Sequence, residues 1–172
     1  VHFRNLDGQS YSHTLQVDAT YPFFPDFSFT AAYRFTKTRI DYGHGMTDKP
    51  LTSRNKGLFT ASYAPMMGLW QFDITCSITG GGRMPSPPLG ADGAPAWSCR
   101  YNAFAQLNAQ VTRNFRHWAI YAGGENLTGY RQKKPIVGAE NPWGTGFDAT
   151  MVYAPLHGAL IYMGVRYTLT KY

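Results

Sequence analysis

The run Trp70-Gln71-Phe72-Asp73-Ile74-Thr75-Cys76-Ser77-Ile78-Thr79 alternates apolar and polar residues without a break. Successive side chains of an extended strand point to opposite faces, so Trp70, Phe72, Ile74, Cys76 and Ile78 share one side and Gln71, Asp73, Thr75, Ser77 and Thr79 the other. A helix would scatter both sets around its circumference. The stretch reads as a β-strand with one apolar and one polar face.

The same period recurs on either side of it. Upstream, Tyr11, His13, Leu15, Val17, Ala19 and Tyr21 alternate with Ser12, Thr14, Gln16, Asp18 and Thr20, and Phe27, Phe29, Ala31, Tyr33 and Phe35 with Ser28, Thr30, Ala32, Arg34 and Thr36. Phe59, Ala61 and Tyr63 oppose Thr60, Ser62 and Ala64 in a shorter segment. Downstream, Tyr101, Ala103, Ala105, Leu107, Ala109 and Val111 oppose Asn102, Phe104, Gln106, Asn108, Gln110 and Thr112. A strand over 117–124 has a mixed pattern. The period predicts two more: Phe147, Ala149, Met151 and Tyr153 against Asp148, Thr150, Val152 and Ala154, then Ala159, Ile161, Met163, Val165, Tyr167 and Leu169 against Leu160, Tyr162, Gly164, Arg166 and Thr168. That makes about eight strands.

Composition agrees. Twelve Tyr, 11 Phe, 4 Trp and 18 Gly stand beside only 15% charged residues, and Glu125 and Glu140 are the only glutamates, a balance that favours strands over helices. The formal charge of +6 would suit a phosphate backbone. The basic residues are scattered, however, and cluster only in Arg113-Asn114-Phe115-Arg116 and Arg131-Gln132-Lys133-Lys134, so no nucleic-acid partner is expected. Cys76 and Cys99 permit one disulfide but do not argue for a disulfide scaffold. Val1 opens no signal peptide, and the N-terminus is expected to be mature, processed or cut from a longer chain.

No stretch makes an apolar helical span; the longest uncharged run, 149–165, is broken by Pro155, His157 and Gly158. A membrane protein without such helices is a closed barrel. Several alternating segments reach about 10 to 12 residues, the length of a tilted membrane strand, against roughly 5 or 6 in soluble domains. Tyr and Trp near their ends suit aromatic girdles at headgroup level. Tight turns at 22–25, 65–68, 114–116 and 155–158 alternate with long connections at 38–56, 80–98 and 125–146, as in hairpins threading between two surfaces. The expected fold class is therefore all-β, a transmembrane antiparallel β-barrel.

That fold fixes the facing. Trp70, Phe72, Ile74, Ile78, Leu107, Val111, Ile161, Met163, Val165 and Leu169 are expected to meet lipid, and Gln71, Asp73, Thr75, Asn108, Gln110, Tyr162, Arg166 and Thr168 the lumen. Asp18, Arg34 and Asp148 join the lumen set, because a charge facing lipid costs on the order of 2 to 4 kcal/mol at mid-membrane. Their expected role is internal hydrogen bonding and ion pairing. Chemistry-bearing motifs are weak. Gly80-Gly81-Gly82-Arg83 lacks the remainder of a phosphate loop, and Asn126-Leu127-Thr128 matches a glycosylation sequon by pattern only. His2, His13, His44, His117 and His157 have no zinc spacing, and Asp41, Asp48 and Asp92 no calcium-loop spacing. No nucleophile elbow is present. No metal, cofactor or enzyme activity is expected.

The second half resembles a known family. Gly123-Gly124-Glu125-Asn126-Leu127-Thr128-Gly129-Tyr130-Arg131-Gln132, then Pro135-Ile136, Asn141-Pro142 and 147–151, are similar to the C-terminal end of the barrel of TonB-dependent outer-membrane receptors, particularly the Bacteroidetes type. Gly129 stands where Asn is commoner. The resemblance continues through 155–158 and 162–167 to an aromatic terminus at Tyr172, similar to the strand read by the barrel-assembly machinery. Upstream, Asn5-Leu6-Asp7-Gly8 with Ser12-His13, and 50–54, also resemble the family. It implies a turn built on Glu125, Asn126, Leu127, Thr128 and Tyr130, and an assembly signal at Tyr172.

It also implies a 22-stranded barrel filled by an N-terminal plug, of which this chain would be the C-terminal part without the plug. The implied function is active uptake of an unidentified solute through the outer membrane of a Gram-negative bacterium. The implied partners are the rest of the barrel and its plug, outer-membrane lipid, the TonB system and a surface lipoprotein. The alternative is a self-contained eight-stranded barrel with a structural, adhesion or lipid-modifying role. By the resemblance the last strand ends in the periplasm, which with eight strands puts the long connections there too.

Overall fold

The computed structural model describes residues 8–43, 45–87, 97–144 and 146–169. Expectations at His2, Asn5-Leu6-Asp7, His44, Asp92 and Tyr172 lie outside them. The strands are β1 (Ser10–Phe24), β2 (Phe27–Asp41), β3 (Met46–Asp48), β4 (Asn55–Tyr63), β5 (Trp70–Thr79), β6 (Gly82–Arg83), β7 (Arg100–Tyr101), β8 (Phe104–Asn114), β9 (Trp118–Glu125) and β10 (Leu160–Tyr167). The main sheet runs β1-β2-β4-β5-β8-β9-β10 with every neighbour antiparallel, and β3 folds back on the end of β2.

Register keeps the two faces continuous across the sheet. Asp73 pairs with Ser62 and Gln110, Thr75 with Thr60 and Asn108, and Gln16 with Arg34, so the polar residues form rows. On the other face Leu15 pairs with Phe35, Ala61 with Ile74, Phe72 with Val111, and Val165 with Ile120. The mixed segment is resolved by its partners: Trp118, Ile120, Ala122 and Gly124 take the apolar face, and Ala119, Tyr121, Gly123 and Glu125 the polar one. Among the described residues no second layer covers the apolar face; only Gly124 at its end lies under a side chain, that of Leu127. Ile161 is 83% and Met163 82% exposed, and no large side chain is fully buried among the described residues. A soluble sandwich would pack this face against a second sheet.

Three tight turns join the strands at one end. Asp26 is left-handed between β1 and β2, Met66 and Met67 are left-handed in the turn Pro65–Gly68, and 115–117 joins β8 to β9. The other end carries the long connections, where β6 pairs with β7 and the small buried cluster Met84, Tyr101 and Met151 packs against Leu51, Trp97, Val137 and Tyr153.

Three expectations are corrected. The strand expected over 147–154 does not form: Asp148 makes only an isolated bridge to Val137, and Gln132 takes up the backbone of Met151 and Tyr153, donating from Nε2 to Met151 O (2.7 Å) and accepting from Tyr153 N–H (3.0 Å). Asp148 therefore belongs to the β9–β10 connection and not to a strand face. Consequently 155–158 is no hairpin turn, and β10 pairs directly with β9. Its far end lies beside the tight turns, Thr168 N–H donating to His117 O at 2.9 Å. The long connections thus lie at the end opposite the close of the last strand, against the expectation that they share it. Cys76 and Cys99 are both free thiols.

Candidate functional site

Two regions gather polar chemistry. The first is the polar face of the sheet. Arg34 donates from Nε and Nη2 to Gln16 Oε1 at 2.9 and 2.7 Å, and Asp73 accepts from Ser62 Oγ (2.6 Å) and Gln71 Nε2 (2.9 Å). Tyr162 Oη donates to Gln110 Oε1 at 2.9 Å, and the Gln110 amide donates to Thr112 Oγ1 at 3.2 Å. Hydroxyl pairs Ser12 with Thr38 and Thr20 with Thr30 extend the rows. Asp18 and Arg166 share this face by register, yet neither makes an ion pair or hydrogen bond with another side chain among the described residues. The ion pairing expected of this face is replaced by neutral and singly charged hydrogen bonds; the pair found, Arg54 with Asp48, sits among the long connections.

Glycines shape the same face. A Cβ on Gly164 would run into the Tyr121 ring, and one on Gly123 would meet Tyr162 Oη at 2.6 Å. Each tyrosine lies over the glycine opposite it in register. These rings cover backbone that would otherwise be bare.

The turn after β9 is the second structure the motif residues build. Asn126 is left-handed (φ 49°) and 3% exposed, and its Nδ2 donates to Tyr130 O (2.8 Å) and His157 O (3.0 Å). Its backbone N–H donates to Asn108 Oδ1 (2.9 Å), Leu127 N–H to Leu107 O (2.7 Å) and Thr128 Oγ1 to Ala105 O (2.8 Å). Tyr130 stacks on Phe104, ring centroids 4.9 Å apart. Glu125 closes β9. The motif is a staple tying β8 to the long connection. Asn126 spends its amide on that task, which makes the sequon a structural motif.

Beyond the staple opens a cavity of about 770 Å³ between the β5–β8 and β9–β10 connections. Its walls include Met84, Trp97, Tyr101, Met151 and Tyr153, and its polar lining Arg100, Lys133, Lys134 and Glu140. Tyr101 and Tyr153 stack with centroids 4.4 Å apart. Burial raises both phenols' pKa, and Tyr130's charge and hydrogen bond add to the rise at Tyr153. They remain neutral at physiological pH. Lys134 holds a left-handed backbone (φ 51°) on the cavity wall, a conformation that costs about 1 kcal/mol outside glycine. The lining joins an aromatic shelf to a cationic edge, an arrangement for binding. Among the described residues no group of His, Cys, Asp and Glu is arranged to hold a metal, and no histidine side chain hydrogen-bonds a serine hydroxyl.

Comparison with solved structures finds the same architecture. The ferric citrate transporter FecA, in its unliganded form, superposes on 91% of this chain with a TM-score of 0.65 at 18% sequence identity. The chain spans 24% of that transporter's length. It therefore shares the all-β, antiparallel barrel-type fold of that part of the transporter. The matched structure is that of a transporter and not of an enzyme. No protein-family model and no curated protein matches the sequence.

The sequence pointed to the staple residues and to the polar rows. It missed the cavity, whose walls come from segments of no periodicity; the one signal was the Arg131–Lys134 cluster beside Gln132.

Proposed function

We propose that this chain forms part of the barrel wall of a TonB-dependent outer-membrane receptor of the Bacteroidetes type, which imports a solute across the outer membrane of a Gram-negative bacterium. The observation that carries the proposal is the long-stranded antiparallel sheet with one largely exposed apolar face and one hydrogen-bonded polar face. Lipid accommodates the first at no cost, and a water-filled or plugged lumen accommodates the second. On this reading Asp18, Arg34, Gln71, Asp73, Asn108, Gln110 and Arg166 face the lumen. In the sheet order β1 and β10 each have one neighbour, and hydrocarbon does not tolerate open edges. The remainder of the receptor's barrel supplies the missing partners, with a plug inside it. The long connections and their cavity face outside, where a surface lipoprotein would hand over solute, and the close of β10 faces the periplasm, where TonB engages other segments of the receptor.

The test is uptake in intact cells. Deleting the gene that encodes this chain, or the cell's TonB, is expected to abolish growth on the same limiting solute, found by screening sole nutrient sources. The protein should fractionate with the outer membrane. Growth lost on deletion of the gene but kept without TonB would exclude energised transport.

A further inference from the structure

Arg113 is the cation of the Arg113-Asn114-Phe115-Arg116 cluster that lies on the wrong face for a barrel. Its cross-strand partners are Trp70 and Ile120, which places it among the apolar residues at the tight-turn end. Its guanidinium carbon sits 4.7 Å from the Trp70 ring centroid and 5.5 Å from that of Phe115. The Trp118 ring lies tilted against that of Tyr167, centroids 4.5 Å apart, on the same face and is 52% exposed. Among the described residues no carboxylate shares this part of the face, because Asp73 and Glu125 lie on the other side of the sheet. Among the described residues nothing accepts a hydrogen bond from the guanidinium. A planar fork of five N–H donors is thus held between aromatic rings, undischarged, at the rim of an apolar band.

We infer that Arg113 is a binding site for the phosphodiester of a membrane glycerophospholipid, in the leaflet at the tight-turn end. The inference rests on the membrane-spanning reading of the sheet. Three features choose this occupant. The guanidinium matches phosphate oxygens in pairs, where a lysine would offer a point charge. The rings that hold it are of the kind that settle at headgroup depth. The exposed apolar pair Phe72 and Val111 in the next row, with Ile120 beside Arg113, gives the acyl chains a surface. A nucleic acid would find only Arg116 beside it, on the turn. A protein partner would need a carboxylate carried into the same apolar setting.

The experiment uses the complete receptor that contains this chain, delipidated in dodecylmaltoside and titrated with phosphatidylglycerol carrying brominated acyl chains. Bromine quenches the fluorescence of Trp70 and Trp118. Saturable quenching is expected, with a midpoint that rises about tenfold in Arg113→Gln and less than twofold in Arg116→Gln, the size expected for losing a charge-assisted pair. Arg113→Lys keeps charge and fold and should fall between. An unchanged midpoint in both Arg113 variants sinks the site while leaving the barrel reading intact. Brominated diacylglycerol quenching with the same midpoint also excludes headgroup recognition. Displacement by inorganic phosphate at equal concentration reassigns the site to a free anion. No quenching by either lipid, even in the unaltered protein, overturns the membrane reading along with the site.

Discussion

At the scale of single residues, Asn126 does the most with the least. It accepts a left-handed backbone that only glycine, asparagine and aspartate adopt readily, and its amide joins two carbonyls from separate parts of the β9–β10 connection. Asn126→Ala should cost about 3 kcal/mol, combining roughly 1 for the backbone with about 1 for each carbonyl left unpaired. Asn126→Gly keeps the backbone and should cost about 2 kcal/mol. Thermal unfolding in detergent, followed by circular dichroism, separates them; equal losses would mean that the backbone conformation carries nothing. Asp148 gives a pH signature. Hydrogen bonds from the Thr150 hydroxyl, then from the Thr150 N–H, hold its carboxyl below the ordinary carboxylate range. A depressed pKa means that its contribution is complete above the ordinary carboxylate value and is lost as the pH falls through its lowered value in the fold. Carbon-13 NMR of the labelled side chain should show that lowered titration, and Thr150→Val should return it toward the ordinary value.

At the scale of elements, the strands that were legible and the one that was not differ in a single respect. Trp70 to Thr79 alternates, and its polar row meets complementary rows on β4 and β8, so periodicity and pairing agree. Phe147 to Ala154 alternates just as well, but Gln132 occupies the backbone groups that a neighbouring strand would need, and Asp148 turns its carboxylate onto Thr150. Periodicity reports which way side chains point in an extended segment; it does not report whether a second strand arrives. The cavity was illegible for the related reason that its walls meet only through the sheet's topology. Gly123 of β9 and Gly164 of β10 are places of close approach, filled by the rings of Tyr162 and Tyr121. Gly164→Ala should therefore destabilise the β9–β10 hairpin by about 1 to 3 kcal/mol through overpacking. Adding Tyr121→Ala should recover part of that loss, since the clash is with its ring. Additive losses in the double variant, measured by the unfolding temperature, would show that the two residues do not interlock.

At the scale of the whole molecule, one strand fewer than the alternation predicts changes which end faces out. With eight long strands the close of the last one would share an end with the long connections. With β10 paired directly to β9, it shares an end with the tight turns instead, and the Thr168 to His117 hydrogen bond marks the place. Short turns at the periplasmic end and long loops outside are the usual arrangement of outer-membrane barrels. The resemblance to TonB-dependent receptors puts the end of the last strand in the periplasm, so both arguments now give one orientation where with eight strands they conflicted. The prediction is read with two exposed positions at opposite ends, Met67 in the turn before β5 (100% exposed) and Trp143 in the β9–β10 connection (96%). The background is Cys76→Ser with Cys99→Ser, because Cys99 is itself exposed near the long connections. A membrane-impermeant maleimide on intact cells should label Trp143→Cys at once and Met67→Cys only after the outer membrane is permeabilised. The reverse order would turn the barrel over and place the cavity in the periplasm, where it would meet solute leaving the barrel; labelling of both in intact cells would mean that the two ends are not separated by a membrane at all.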